Sequence, residues 1–362
     1  MQKNLRVPVD GKSRRALLTA SMALATAFGG VLPGSAAAQG AAASWPTVTS
    51  AAAKEGKVTL YHNLSPGGME VLGQEFRKEF PAIEVELVRL GSAALSQRFA
   101  TEYSAQRHIA DVVVTTVDPS IFEGLAAGWA AAWAPPELAA YPKQVNYKGQ
   151  NMLFHVLTVR DAIVWNKQRV RDADAPKEWA DLFDSKWKGK VGMNPPWRSV
   201  TQQAIIAYWD KLALGDTAAR MKANDVRFFE GSGGVLQAVI RGDVMVAQML
   251  DLPLNSAIDD GAPIGFVYPK SGTTVSQVSA FVVSKAPHPN AARVLANWLL
   301  SVKGQTNLQI HGGLAGTRPG IPRLAHLPPT SSLSNVVDSL DLTPPAKQKE
   351  IVEHWRKTFG VQ

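Results

Sequence analysis

The chain has 362 residues, 46% of them hydrophobic and 19% charged, a balance that fits globular protein and excludes both a disordered chain and a membrane bundle. Its formal net charge is +8, but Lys3, Arg6, Lys12, Arg14 and Arg15 oppose only Asp10 before residue 40; the +4 left for the rest is too little to argue for nucleic acid. Cysteine is absent, which excludes disulfides, a cysteine nucleophile, zinc–thiolate sites and a lipid-bearing N-terminal cysteine.

The opening stretch reads as a leader. Ser13-Arg14-Arg15 closes a basic segment, Leu17 and Leu18 begin a small apolar run to about Leu32, and Ala36 and Ala38 supply the small-x-small pattern of a signal peptidase site. Residues 1–38 are therefore expected to be a twin-arginine signal peptide, with the mature chain starting near Gln39 and exported to the periplasm without a lipid anchor. No later run approaches the roughly 20 apolar residues that a helical span requires.

From Lys54 onward the pattern alternates between strand and helix. "KVTLYHN" (57–63) predicts a strand; Gly67 and Gly68, then Met69, Val71, Leu72, Phe76 and Phe80, predict a helix that Pro81 ends. "IEVELVRL" (83–90) is a second strand, residues 92–105 a helix, and "ADVVVTT" (110–116) a buried strand. Such an order builds a parallel sheet with crossover helices. A longer extended run, "LTVRDAIVWNKQRV" (157–170), precedes a second series that starts after Pro176.

In that second series "GKVGMNPP" (189–196) is a strand that its prolines stop, and "WRSVTQQAIIAYW" then begins a helix. Ser199 or Thr201 is placed to cap it, and Ala204, Ile205, Tyr208 and Trp209 recur at helical spacing. Arg198 beside the free N–H groups of a helix start favours a carboxylate, phosphate or phosphonate. Residues 231–243 read as a loop and helix, 244–250 as a strand, 276–284 as a strand and 288–301 as a helix whose Ala292, Leu295, Ala296, Leu299 and Leu300 share one face. A last helix is expected near 344–359.

Six segments in this order, "VTLYHNLSPGG", "FRKEFPAIEVELV", "LGSAALSQRFATEYSAQRHIADVVVTT", "WADLFDSKWKGKVGMNPPWRSVT", "GGVLQAVIRGDVMVAQ" and "QVSAFVVSKAPHPNAARVLANWLLS", resemble the family 1 extracellular solute-binding proteins of ABC importers, most closely the ferric-iron-binding subgroup. The likeness covers residues 55–320. It implies an α/β, two-lobed periplasmic binding protein fold of type II, with a hinged cleft that closes on a ligand and a closed form that docks on a membrane permease. The corresponding lobes are 41–145 with 270–320, and 146–269 with 321–362; hinges are expected near 115–120, 145–160 and 268–278.

Ligands of open parallel sheets bind beyond the carboxyl ends of the strands, so the loops there carry the expected site. The anion-binding residues are Arg198, Ser199 and Thr201, completed from the first lobe by Asn63, Ser65, Ser92 and Thr116, with Ser232 in the "EGSGG" loop. Trp197 is placed either to stack on a planar ligand or, by default, to pack at the lobe surface. Asp251 is expected either to close an Asx-type turn before Pro253 or to meet a ligand ammonium or hydroxyl opposite Arg198, and His62 to stand at a strand end facing the cleft. The iron subgroup uses adjacent tyrosines where this chain has Leu252 and Pro253, which supply no anionic oxygen for hard Fe(III).

The expected function is thus a monomeric, non-enzymatic substrate-binding subunit of an ABC importer. Its partners are a small anionic ligand, a carboxylate or phosphonate with or without an amine, and an inner-membrane permease; no cofactor, metal or nucleic acid is implied. The alternative is a ferric iron-binding protein. An exported hydrolase would need a positioned histidine beside Ser232, whose "EGSGG" segment is one residue short of the Gly-x-Ser-x-Gly turn, and the seven histidines are scattered without metal-ligand spacing. A structural module would lack a deep cleft.

Overall fold

The computed structural model describes residues 44–64, 66–141, 152–312 and 315–361; the expected signal peptide and Ser65 lie outside them. The first series comprises α1 (Trp45–Glu55), β1 (Lys57–His62), α2 (Pro66–Glu79), β2 (Glu84–Arg89), α3 (Ser92–Ser104), β3 (Val112–Thr116) and α4 (Pro119–Ala126). The long strand β4 (Phe154–Asn166) leads to β5 (Val191–Met193), α5 (Val200–Lys211), α6 (Thr217–Ala223), β6 (Arg227–Phe228), α7 (Gly231–Arg241), β7 (Val246–Leu250), α8 (Leu254–Asp259) and β8 (Ile264–Val267). The chain continues through β9 (Thr273–Val282), α9 (Pro289–Leu300), α10 (Val302–Gly312), β10 (Ala315–Gly316), β11 (Val336–Asp338), α11 (Ser339–Leu342) and α12 (Pro345–Phe359). Among the described residues no helix is long and apolar enough to cross a membrane.

The strands run in the order β2-β1-β3-β9-β4-β7-β5-β6, with β8 and β10 on β4 and β11 on β9. Two parallel triplets, β2-β1-β3 and β7-β5-β6, flank an antiparallel pair, β9 and β4. β4 serves both halves in turn: Phe154 to Arg160 pair with β9, and Asp161 to Trp165 pair with β7. This is the mixed α/β architecture of type II periplasmic binding proteins.

Side chains alternate across each half-sheet, so each half carries two apolar layers. Val112 and Val114 point to the layer holding Leu60, Phe76 and Leu295, whereas Val113 points with Tyr61 and Phe281 to Phe99 and Ile121. In the other half Ile163 and Trp165 meet Trp179, Trp209 and Trp355, while Ala162 and Val164 meet Val235 and Val239. Burying each large apolar side chain contributes roughly 1.5–3 kcal/mol, so these layers are what hold the strand ends in register.

Two local expectations shift. The extended run stops at Asn166 rather than 170, because its amide donates to Val239 O at 2.8 Å and accepts from Gln168 N at 2.8 Å, which turns the chain. The "GSGG" segment is not a loop before a helix. α7 starts at Gly231 itself, with Gly231 at φ 67°, a left-handed conformation open to glycine.

Candidate functional site

The carboxyl ends of six strands open onto one cavity of about 360 Å³. β1 delivers Asn63, β2 delivers Arg89 and then Gly91 and Ser92, and β3 delivers Thr116. From the other half, β5 leads to Asn194 and the turn Pro196–Arg198, and β7 leads to Leu252 and Pro253. β6 is followed by Glu230 and the glycine-rich start of α7. Parallel strand order places the helices that follow β2, β5 and β6 with their N-termini toward the same space.

Those N-termini are the main polar feature of the walls. α3 begins at Ser92, α5 at Val200 with Ser199 as its cap, and α7 at Gly231, so free backbone N–H groups from three helices of eleven to thirteen residues face the cavity. The Ser199 hydroxyl accepts from Gln202 N at 3.4 Å and pairs with Thr201 Oγ1 at 2.8 Å. Asn63 Nδ2 donates to Thr116 Oγ1 at 2.9 Å, leaving its buried Oδ1 without a partner.

Three charges line the space, Arg89, Arg198 and Glu230. Arg198 Nη1 donates to Glu230 Oε2 at 3.1 Å, and with 60% and 62% of these side chains exposed the pair is open to exchange partners. Gly91 and Gly231 bring the two halves close. A Cβ at Gly91 would lie 3.6 Å from Arg198 O, and one at Gly231 would lie 3.5 Å from Arg89 Nη2. The field of Arg89 also reaches His62, whose imidazole is pushed down to about 4, first by burial and second by that charge.

Of the expected site residues, the cavity brings together Asn63, Ser92, Thr116, Arg198, Ser199, Thr201 and Ser232. Ser65 is outside the described residues. Trp197 is not in the lining: its ring packs on Phe228 at 5.1 Å, which packs in turn on Phe359 at 4.9 Å. Asp251 does not reach the cavity either, because its carboxylate is held by Arg160 Nε at 2.6 Å, Arg160 N at 3.0 Å and Tyr268 Oη at 2.7 Å. His62 is buried within β1 and does not face the cleft.

Residues the sequence reading passed over are Arg89, Asn194 and Glu230. A signal existed for each, since all three stand at or just beyond the end of a strand. The lining includes a single carboxylate and, among the described residues, neither tyrosine nor histidine; no group of three or more acidic, histidine or cysteine residues is placed to hold a metal ion. Ser232 accordingly has no imidazole beside it in the cavity.

The fold and cavity define a protein of the binding-protein class, in which a ligand is held between two sheet halves. A model of the bacterial extracellular solute-binding proteins matches residues 97–324, and the chain belongs to that family. It is 25% identical over 237 residues to an Fe(3+)-binding periplasmic protein of Serratia marcescens, covering 62% of this chain and 64% of that one. It is 26% identical over 238 residues to a candidate 2-aminoethylphosphonate-binding periplasmic protein of Salmonella typhimurium, covering 62% of this chain and 67% of that one. The match to the Serratia relative thus spans less than two thirds of its length.

Solved structures agree on the fold. Iron-bound HitA from Pseudomonas aeruginosa superposes with a TM-score of 0.68 at 20% identity, covering 83% of this chain and 99% of that one. The periplasmic binding protein AfuA from Actinobacillus pleuropneumoniae, solved with fructose-6-phosphate bound, superposes with a TM-score of 0.73 at 18% identity, covering 84% and 99%.

Proposed function

We propose that this protein is the periplasmic substrate-binding subunit of an ABC importer, exported by residues 1–38, that captures a small organic anion and delivers it to an inner-membrane permease. The observation that carries the reading is the convergence of the α3, α5 and α7 N-termini with Arg89 and Arg198 on one cavity of about 360 Å³. Backbone N–H groups and guanidinium forks match the several acceptor oxygens of a phosphonate, phosphate ester or carboxylate. Asn63, Ser92, Ser199, Thr201 and Ser232 add short polar groups around that anion.

Glu230 takes the role first expected of Asp251. It is the sole carboxylate in the lining among the described residues, and a ligand ammonium can replace Arg198 as its partner while the ligand anion takes Arg198. An aminophosphonate, the ligand type named for the Salmonella relative, has this charge pattern. Closure is proposed about β4 and β9, the strands that join residues 41–145 and 270–320 to residues 146–269 and 321–362.

Ferric iron is the second reading, favoured by the name of the Serratia relative. Among the described residues, a lining with one carboxylate and no phenolate is poor in the hard anionic oxygens that Fe(III) prefers. Native mass spectrometry of the protein isolated from periplasm tests the choice: a bound organic anion is expected, and a mass increment of iron alone would reverse it.

A further inference from the structure

The two arginines of the cavity stand in different circumstances. Arg198 Nη1 already meets Glu230 Oε2 at 3.1 Å, whereas Arg89, an exposed residue, has no hydrogen bond and no ion pair among the described residues. Arg89 comes from the end of β2 in the first sheet half, and its guanidinium reaches the other half: a Cβ placed on Gly231 would lie 3.5 Å from its Nη2. Gly231 is the first residue of α7.

That position is unfavourable for a cation on its own. A helix N-terminus carries the positive end of the macrodipole, so an arginine laid against it is repelled, where a carboxylate would be attracted. No charge on the neighbouring strand relieves it, since His62, paired with Arg89 between β1 and β2, is buried and stays neutral well below pH 6.5. Stability of the chain therefore gives no reason for Arg89 to stand there.

A bound anion does. Arg198 and Glu230 cancel, so with Arg89 and the three helix N-termini, at roughly half a charge each, the cavity walls carry about +2.5. A carboxylate or sulfonate brings one negative charge and leaves the seam between the halves positive. A phosphonate or phosphate-ester head brings nearly two, with three acceptor oxygens to share among the walls.

We propose that Arg89 is the specificity-determining residue of the cavity, selecting a doubly charged phosphonate or phosphate-ester head over singly charged carboxylates and sulfonates by placing a cation against α7 that only such a head offsets. The proposal rests on the anion reading above and deepens it. Titration calorimetry on the full mature protein at about pH 8, where a phosphonate is doubly charged, tests it with 2-aminoethylphosphonate, taurine and β-alanine, which carry a dianionic tetrahedral, a monoanionic tetrahedral and a monoanionic planar head on one aminoethyl group. Ethylphosphonate, ethanesulfonate and propanoate repeat the series without the amine.

In at least one series the phosphonate is expected to bind wild type roughly 100-fold more tightly than the sulfonate, and Arg89→Gln to weaken the phosphonate by about 100-fold but the sulfonate by only about tenfold. Arg89→Lys, which keeps the charge, should keep most of the preference, and thermal unfolding establishes that each variant is folded. Equal affinity for phosphonate and sulfonate in wild type, or a preference unchanged in Arg89→Gln, would overturn this proposal while leaving the anion reading in place. Absence of binding by all six compounds would overturn both.

Discussion

Arg160 Nε lies 2.6 Å from Asp251 Oδ2, and 1% and 3% of the two side chains are exposed. They are 91 residues apart and meet because β4 and β7 run antiparallel, with Asp161 opposite Leu250. The pair lies where β4 passes from β9 to β7. Arg160 Nη1 also donates to Pro328 O at 2.6 Å, tying the C-terminal segment to the same point. Asp251 therefore organises the loop behind the cavity wall formed by Leu250, Leu252 and Pro253.

Removing one member of such a pair leaves an uncompensated buried charge, so Asp251→Ala is expected to cost about 3–5 kcal/mol of stability. Replacing both, as Arg160→Met with Asp251→Leu, should recover most of that loss. Urea denaturation of the two single variants and the double variant closes the cycle. An Asp251→Ala protein of normal stability that no longer binds ligand would return Asp251 to the binding site.

Arg198 should behave in the opposite way. Its bridge to Glu230 is largely exposed, and exposed pairs contribute little to stability. Arg198→Ala is expected to unfold at the wild-type urea midpoint yet to bind its anion about 2–5 kcal/mol more weakly, while Arg198→Lys rescues only part of the affinity because an ammonium cannot make the two-pronged contact. Wild-type affinity in the alanine variant would remove Arg198 from the site.

The glycines of α7 separate stability from binding. Gly231 has φ 67°, so Gly231→Ala should lose roughly 1–2 kcal/mol of stability. Gly233 is helical, with nothing within 4 Å of a Cβ placed there, and Gly233→Ala should gain about 0.5–1 kcal/mol. Both line the cavity side of the helix start, and both are expected to weaken anion binding by crowding the N–H groups. Tighter binding by Gly233→Ala would argue against an anion seated on that helix end.

Acid should destabilise the fold through His62. Its folded pKa, about 4, lies below the ordinary 6.5, so between those values the unfolded chain binds the extra proton; the stabilising contribution is whole above pH 6.5 and is lost toward pH 4, by roughly 3 kcal/mol. Asp161 works with the reverse sign. Burial, reinforced by the Asp251 charge, raises it to about 7 from 3.8, so its contribution is present at low pH and is lost as pH rises through 7. Denaturation midpoints from pH 7.5 to 4.5 should fall less steeply in His62→Gln than in wild type and more steeply in Asp161→Asn. Parallel slopes in all three proteins would contradict this assignment.

Local signals made much of the scaffold legible. Proline and glycine punctuation marked α2 and α5, an apolar face marked α9, and the β/α alternation placed Asn63, Ser92, Thr116 and the Arg198 turn at strand ends that the topology then brings to one cavity. What was hidden depended on distant partners. The ion pair of Asp251 was hidden because Arg160 and Tyr268 are distant in sequence, and the packing partners of Trp197 were hidden because Phe228 and Phe359 reach it from β6 and α12. Arg89 and Glu230 stand at strand ends like the residues that were read, but their meaning comes from Arg89 facing Gly231 across the sheet halves and from Glu230 pairing with Arg198.

The central claim is an organic anion held between helix N-termini by Arg198. Titration calorimetry of ligand-free protein with 2-aminoethylphosphonate, a small phosphate monoester, a simple carboxylate and ferric citrate addresses it directly, in wild type and in Arg198→Ala. Saturable one-to-one binding of an iron-free anion, lost or greatly weakened in the variant, is the predicted result. Stoichiometric binding of ferric iron with no response to any iron-free anion, and equal in both proteins, would contradict it.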